Sequence, residues 1–139
     1  MLSRLLVVLP LLLTPASSGG VTGVALARGV SPGPISVTSG GRTDVVVRRV
    51  VIEPGGSTGW HRHAGRLIAV VRRGVLTHTL SDCSTRTDRA GTAFVEPAHE
   101  VHEGRNLGTE PVVLLVTYVL PAGSPLSQDA PAPACSGKS

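Results

Sequence analysis

The sequence predicts an all-β fold for the chain beyond its N-terminal segment, and three observations support this. From Ile35 onward, short apolar runs are separated by glycine and proline at intervals of roughly ten residues, which is typical of β proteins. No apolar stripe with a helical period of useful length appears in this part. The chain has one Trp, one Tyr and one Phe, so Val, Leu and Ala must build its core, and branched side chains favour strands.

The first 27 residues predict a cleaved secretory signal rather than part of the fold. Arg4 precedes an apolar run over 5–13, and a region of small residues ends in Ala25-Leu26-Ala27, the A-x-A pattern of signal cleavage sites. An uncleaved anchor is the alternative, but the run contains Pro10 and is shorter than the ~20 residues of a spanning helix. We therefore expect a secreted, extracytoplasmic protein with no stable membrane insertion after cleavage.

The remaining chain is expected to form a single domain in three segments. Residues 28–43 form an N-terminal segment, residues 44–120 the folded barrel, and residues 121–139 a Pro-, Ala- and Ser-rich tail that we expect to be disordered. The predicted strands are too short for a large open sheet, so they predict a sandwich or a barrel. These strands are Ile35–Thr38, Asp44–Ile52, Thr58–His63, Arg66–Arg72, Val75–Leu80, Ala93–Glu96, Val101–Asn106 and Val112–Leu120, with a long turn over Ser81–Gly91.

Charge and cysteine content narrow the class of protein. The formal net charge of +4 comes from arginines that are spread along the chain among acidic residues, whereas nucleic-acid binding calls for a clustered basic face with stacking aromatics. We therefore expect no nucleic-acid partner, and a small anionic ligand remains compatible with the charge. In an oxidising compartment Cys83 and Cys135 predict one disulfide bond, with two free thiols as the alternative.

Three histidines are candidate metal ligands. Side chains alternate between the faces of a strand, so His61 and His63 point the same way and lie close enough to converge on one ion. His102, on a different strand, is placed to supply a third ligand. An H-x-H pair alone is weak evidence, because a polar strand face can produce it by chance.

The other titratable residues are interpreted by the same alternation. His78 shares a predicted face with Leu76, so it is a candidate fourth ligand or proton-transfer group, and the alternative is a hydrogen-bonded or exposed histidine. Glu100 is a weak candidate for a carboxylate ligand, and Glu103 is expected to face away. Glu53 and Glu96 lie at predicted turns, where solvated carboxylates are normal.

The spacing around these histidines resembles the two sequence motifs of the cupin superfamily. The resemblance covers residues from about 44 to 118. The matching positions are Gly55, His61, His63 and Gly74 in the first motif and Gly91, Pro97, His102 and Asn106 in the second. It implies a double-stranded β-helix, the cupin jelly-roll barrel. It also implies that His61, His63 and His102 are the ligands of a divalent transition metal (Fe, Zn, Mn, Ni or Cu), and that Asn106 is a structural polar group.

Two positions depart from the family pattern. Leu67 stands where the family usually places a glutamate ligand, and His99 stands where the second motif usually has glycine. Without the glutamate, three neutral imidazoles leave a divalent ion with its full +2 charge, which would favour an anionic or bidentate ligand. A decayed site that binds no metal is the alternative.

The sequence thus predicts an exported small cupin that holds a divalent transition metal at a three-histidine site and binds a small molecule in its barrel, and an anionic molecule is compatible with this prediction. As an enzyme it would be a metal-dependent oxygenase or isomerase. The alternatives are a non-catalytic metal- or metabolite-binding or sensing module, and a structural jelly roll with a vestigial site. Whether the protein is an enzyme is left open, and a homodimer is compatible with the sequence.

Overall fold

The computed structural model describes residues 20–134, which fold into nine β-strands with no α-helix in that range. All strand pairs are antiparallel. The strands are β1 (Thr43–Ile52), β2 (His61–Arg62), β3 (Arg66–Arg73), β4 (Val75–Leu80), β5 (Thr85–Arg89), β6 (Ala93–Glu96), β7 (His102–Arg105), β8 (Val112–Pro121) and β9 (Gln128–Asp129). The prediction of an all-β fold is confirmed.

Two sheets enclose the core. One has the strand order β1-β8-β3-β6 and the other β5-β4-β7-β2-β9. The alternating pattern of β3, in which Leu67, Ala69 and Val71 are buried, directs one face of the first sheet inward. These residues pack with Leu76 of β4 from the second sheet, so the apolar core lies between the sheets. The sequence patterning thus decides which face of each sheet borders the interior.

Three predicted elements differ from the structure. Residues 35–38 form no strand, and the predicted turn Ser81–Gly91 contains β5, which pairs along its whole length with β4. The β5 sequence TRTDR has no apolar residue, so its strand character comes from the ladder with β4 and not from a hydrophobic pattern. The predicted strand at 58–63 is shortened to His61–Arg62.

The two ends of the described chain add to the barrel. Val30 forms a parallel bridge with Thr92, next to the edge strand β6. The tail, for which the composition predicted disorder, contributes β9, which pairs with β2. The backbone amide of Ala130 also donates to the carbonyl of Trp60, with an N···O distance of 3.0 Å. The tail therefore covers the side of the barrel on which the two-residue strand β2 lies.

Motif residues occupy the turns expected for them. Gly74 has a φ of 78°, and a Cβ there would lie 2.7 Å from the carbonyl oxygen of Pro111, so only glycine fits. Asn106 is buried, and its side-chain amide donates to the carbonyls of Ile52 and Glu110 while its oxygen accepts from the Gly108 amide. The expectation that Asn106 is a structural polar group is confirmed.

Two predictions concern residues beyond the described range. Residues 1–19 of the predicted signal segment and Cys135 of the predicted disulfide lie outside it, so both remain predictions. Among the described residues, none forms a helix with the length and apolar character needed to span a membrane.

Candidate metal centre

The three predicted histidines come together at one end of the interior. His61 on β2 and His102 on β7 are directly opposed in the ladder, and their ring centroids lie 4.4 Å apart. His63 follows β2, and its ring lies 4.8 Å from that of His61. His63 and His102 are buried. The alternation argument therefore placed these residues on a common face correctly.

Each of these three rings is oriented by a backbone carbonyl. The Nδ1 atoms of His61, His63 and His102 lie 2.8, 2.6 and 2.9 Å from the carbonyl oxygens of Gly59, Leu126 and Glu100. A carbonyl oxygen only accepts hydrogen bonds, so each Nδ1 carries the ring proton and each neutral ring keeps an unprotonated Nε2. Histidine ligands of metals are commonly fixed in this way, by a hydrogen bond from the ring nitrogen that does not bind the metal.

Glu96 completes the cluster, which corrects the expectation that it is a solvated carboxylate at a turn. Its Oε2 lies 3.1 Å from Nε2 of His63 and 3.1 Å from Nε2 of His102, and its side chain is 13% exposed. One ligand atom from each of the four residues lies within 4.8 Å of the others. We call this set, His61, His63, Glu96 and His102, the ligand cluster.

The strand register explains how the acid reaches the site. Glu96, the last residue of β6, is the direct partner of Leu67 on β3, and both side chains line the same cavity. Directly opposed residues on an antiparallel pair share a face, with Cβ atoms about 4.5–5.5 Å apart. The carboxylate missing at position 67 is therefore supplied from the neighbouring strand. The expected uncompensated three-histidine site is wrong in this respect: with Glu96 a bound divalent ion would carry a net charge of +1.

The atoms of the ligand cluster fit a cation. The buried Nε2 atoms of His63 and His102 have no hydrogen-bond partner, yet each faces a carboxylate oxygen at 3.1 Å. Lone pairs at that distance repel one another unless a proton or a metal ion lies between them. Imidazole nitrogens with one carboxylate are a donor set that suits Fe, Zn, Cu and Ni.

The pKa values of the ligand cluster without metal also indicate that a positive charge is favoured beside Glu96. Burial acts to raise the pKa of Glu96, but its contacts with His102 and His63 outweigh burial and hold this pKa well below its usual range. Burial acts to lower the pKa of His102, but Glu96 outweighs it and raises that pKa. Burial is the main cause that lowers the pKa of His61. A proton shared by His102 and Glu96 would thus compete with a metal ion.

His78 is buried next to the ligand cluster but is oriented differently. Its Nε2 lies 3.6 Å from Oε1 of Glu96, and its Nδ1 lies 3.0 Å from Nη2 of Arg86. Burial is the main cause that lowers the pKa of His78 to about 4, so the ring is neutral near pH 7. His78 and Leu76 are both buried, as expected for residues that share a face, and of the alternatives left open for His78 the structure shows a buried, hydrogen-bonded histidine that does not belong to the four-residue set that could hold a metal.

The remaining candidates lie elsewhere. Glu100 contributes its backbone carbonyl to His102, and its side chain is not part of the ligand cluster. The carboxylate of Glu103 accepts a hydrogen bond from the hydroxyl of Ser57, away from the metal ligands. His99 is exposed with a φ of 66°, which explains why glycine is usual at that motif position, and its amide donates to the carbonyl of His63.

A small cavity adjoins the ligand cluster. Its volume is about 50 Å³, and apolar side chains from both sheets form most of its wall. Tyr118 is the one ionisable residue in its lining besides members of the ligand cluster, and its ring packs edge-on against His63. The Tyr118 hydroxyl interacts with the guanidinium of Arg48, and burial raises the pKa of Tyr118 despite this contact. The phenol is therefore protonated at neutral pH.

Comparison with known proteins gives one family match and several similar structures. The Cupin_2 family, described as the cupin domain, matches residues 48–118. No curated protein sequence matches the chain. A Cupin 2 conserved barrel domain protein from Salinispora arenicola is 23% identical, with a TM-score of 0.51 over 56% of this chain and 64% of that one.

Two enzymes are also among the similar structures. The polyketide cyclase RemF from Streptomyces resistomycificus is 24% identical, with a TM-score of 0.53 over 66% of each chain. The DMSP lyase DddQ from Ruegeria pomeroyi is 16% identical, with a TM-score of 0.55 over 62% of this chain and 43% of the lyase. The matches thus span less than two thirds of each of these proteins. At these identities they show a shared fold and not a shared activity.

Proposed function

Because the chain belongs to the cupin family, with the cupin domain at residues 48–118, we propose that it is an exported metalloprotein. In this proposal the ligand cluster holds one divalent transition metal, and the adjoining cavity binds a small anionic molecule beside it. The observation that carries the proposal is the convergence of unpartnered, buried Nε2 atoms on one carboxylate. The identity of the metal is part of what has to be measured.

The cavity supports a ligand of only a few non-hydrogen atoms. Its volume of about 50 Å³ is far below the roughly 300–1,000 Å³ of sites for drug-sized molecules. Arg48 lies on the same face of β1 as Val46 and Val50, which pack against the core. Its guanidinium interacts with Tyr118 at the cavity wall. Arg48 is exposed and is not one of the residues that line the cavity, so its positive charge acts through its contact with the protonated phenol of Tyr118, and this pair favours an anion such as a carboxylate.

A catalytic role, as a metal-dependent oxygenase or isomerase, is the second candidate. When bound, the metal would supply a Lewis acid or a centre for oxygen activation. In the chain itself, Tyr118 lines the cavity, where its hydroxyl could donate a hydrogen bond to a ligand, and most of the cavity wall is apolar. The protonated phenol favours proton donation over proton abstraction, which favours chemistry that needs an acid more than a base.

The test is elemental analysis of untagged protein recovered from the exported fraction. We expect about one transition metal per chain in the parent, and its loss in the variant His61→Ala/His63→Ala. The control His99→Ala alters an exposed histidine and should keep the metal. Calorimetric titration of the metal-loaded protein with acetate and with the neutral analogue acetamide tests the anionic ligand. Metal retained in the double variant, or equal binding of both probes, would contradict the proposal.

A further inference from the structure

His78 differs from the three histidines of the ligand cluster in the partner of its Nδ1 atom. In those three rings Nδ1 faces a backbone carbonyl oxygen. In His78 it faces Nη2 of Arg86 at 3.0 Å. The two kinds of partner impose opposite hydrogen-bond directions on the ring.

Donor chemistry fixes the tautomer of His78. A guanidinium has five N–H donors, no acceptor, and a permanent charge. Nδ1 of His78 must therefore accept the hydrogen bond from Arg86, and the single proton of the neutral ring lies on Nε2. The ligand histidines carry their protons on Nδ1, as shown above. Three rings thus direct lone pairs toward the site, and the fourth directs an N–H.

The N–H of His78 points at the oxygen of Glu96 that the ligand histidines do not contact. Nε2 of His78 lies 3.6 Å from Oε1, whereas Oε2 lies 3.1 Å from both His63 and His102. The two oxygens are therefore divided between two tasks. Oε2 faces the atoms that could bind a metal, and Oε1 faces Nε2 of His78, a buried atom that has no hydrogen-bond partner at this separation.

Arg86 is itself held on three sides. It is the direct cross-strand partner of His78 between β5 and β4, its Nε donates to Oδ2 of Asp88 at 3.0 Å, and its Cζ lies 4.7 Å from the centroid of the Phe94 ring. Asp88 is 7% exposed. β5 and β6 are each an edge strand, in different sheets, so the contact of Arg86 with Phe94 joins the two sheets at these edges.

We propose that Arg86, held by Asp88 and Phe94, fixes His78 in the Nε2–H tautomer, and that His78 is the positioning residue that presents Glu96 to the metal. This inference rests on the proposed metal-binding function. Hydrogen-bond partners of metal ligands typically contribute 10–100-fold to metal affinity. In this way His78 would orient Glu96, which lies on β6 and not at position 67 on β3, where the family usually has its glutamate.

Nitrogen NMR of the full-length, ¹⁵N-labelled protein tests the tautomers directly. Two-bond proton–nitrogen correlations should show a protonated Nε2 for His78 and a protonated Nδ1 for the three ligand histidines in the zinc-loaded protein. In Arg86→Leu the His78 pattern should change toward a protonated Nδ1. The matched control is Arg89→Leu, on the same strand but on the opposite, exposed face, and it should leave the pattern unchanged.

Zinc affinity, measured by competition with a chelator, tests the positioning role. His78→Gln keeps an amide N–H near the place of Nε2 and should bind zinc within about threefold of the parent. His78→Asn keeps only the acceptor for Arg86 and should lose 10–100-fold in affinity, as should Arg86→Leu. A protonated Nδ1 on His78 in the parent, or zinc affinity unchanged in both His78→Asn and Arg86→Leu, would overturn the inference while leaving the metal site intact. A parent that binds no zinc or other transition metal would overturn the proposed function and the positioning role together.

Discussion

The position of the acidic ligand can be tested by exchanging it across the ladder. Leu67 and Glu96 are direct partners on β3 and β6, and both line the cavity. The double variant Leu67→Glu/Glu96→Leu moves the carboxylate back to the strand where the family usually has it. We expect the double variant to bind zinc, whereas Glu96→Leu alone should lose at least tenfold in affinity because the ligand cluster then lacks its only carboxylate.

The magnitude of the exchange effect follows from the geometry of the pair. Leu67→Glu alone would place two carboxylates on opposed residues with Cβ atoms about 5 Å apart. At an effective dielectric constant of about 20, two unit charges at this distance repel by about 3 kcal/mol. The substitution also removes a leucine that is 1% exposed, which costs about 2–3 kcal/mol of burial free energy. The double variant still loses the burial free energy of Leu67, but it avoids the repulsion between two carboxylates.

A double-mutant cycle isolates the charge repulsion. Urea unfolding of the four proteins at pH 7, after removal of metal with a chelator, should give an interaction free energy of about 3 kcal/mol between positions 67 and 96. The control Leu67→Gln has the same shape as the glutamate without its charge, and it should show little coupling. An interaction below about 0.5 kcal/mol, or a double variant that binds no more zinc than Glu96→Leu, would refute the placement of the acid across the ladder.

Three further predictions concern stability and covalent structure. Burial lowers the pKa of His78 from 6.5 to about 4 on folding, so the contribution of this group to the free energy of unfolding is present above pH 6.5 and is lost as the pH falls from 6.5 to 4. Metal-free protein should therefore lose about 3 kcal/mol through His78. Urea unfolding at pH 7 and pH 4 should show a smaller loss in His78→Gln. Asn106→Ala leaves two backbone carbonyls without their donor and should cost about 3 kcal/mol in urea unfolding, whereas Leu107→Ala at an exposed site should change stability by under about 0.5 kcal/mol. Cys83 and Cys135 should resist alkylation until a reductant is added, as read by intact mass, and labelling of both without reductant would contradict the predicted bond.

The sequence predicted those parts of the fold that local patterning determines. β4 and β6 occupy the predicted ranges 75–80 and 93–96 without change, because apolar residues alternate or run continuously there between glycine and proline. The convergence of His61, His63 and His102 followed from their spacing within two motifs. The strand ranges and the common face of His61 and His63 follow from a few neighbouring residues, whereas the link to His102 followed from the resemblance to the two cupin motifs.

Glu96 was missed because its role depends on pairing between distant strands. Directly before Pro97, it has the local sequence of a turn, and only the register with Leu67 places it in the interior. Two features of the sequence could have indicated it: position 67 lacks the usual acid, and the predicted strand 93–96 ends in an acid, Glu96. β5 was missed for a related reason, since Thr85–Arg89 contains no apolar residue and owes its conformation to β4.

The hydrogen bond between His63 and Leu126 links the metal site to the order in which the chain is made. The carbonyl of Leu126 orients the ring of His63, and β9 immediately after it pairs with β2. Leu126 follows every member of the ligand cluster along the chain, so it is synthesised after all four of these residues. A nascent chain therefore contains all four residues of the ligand cluster before it contains Leu126, whose carbonyl orients the ring of His63. Metal acquisition would then be a late event in biogenesis, after the tail has docked on the barrel.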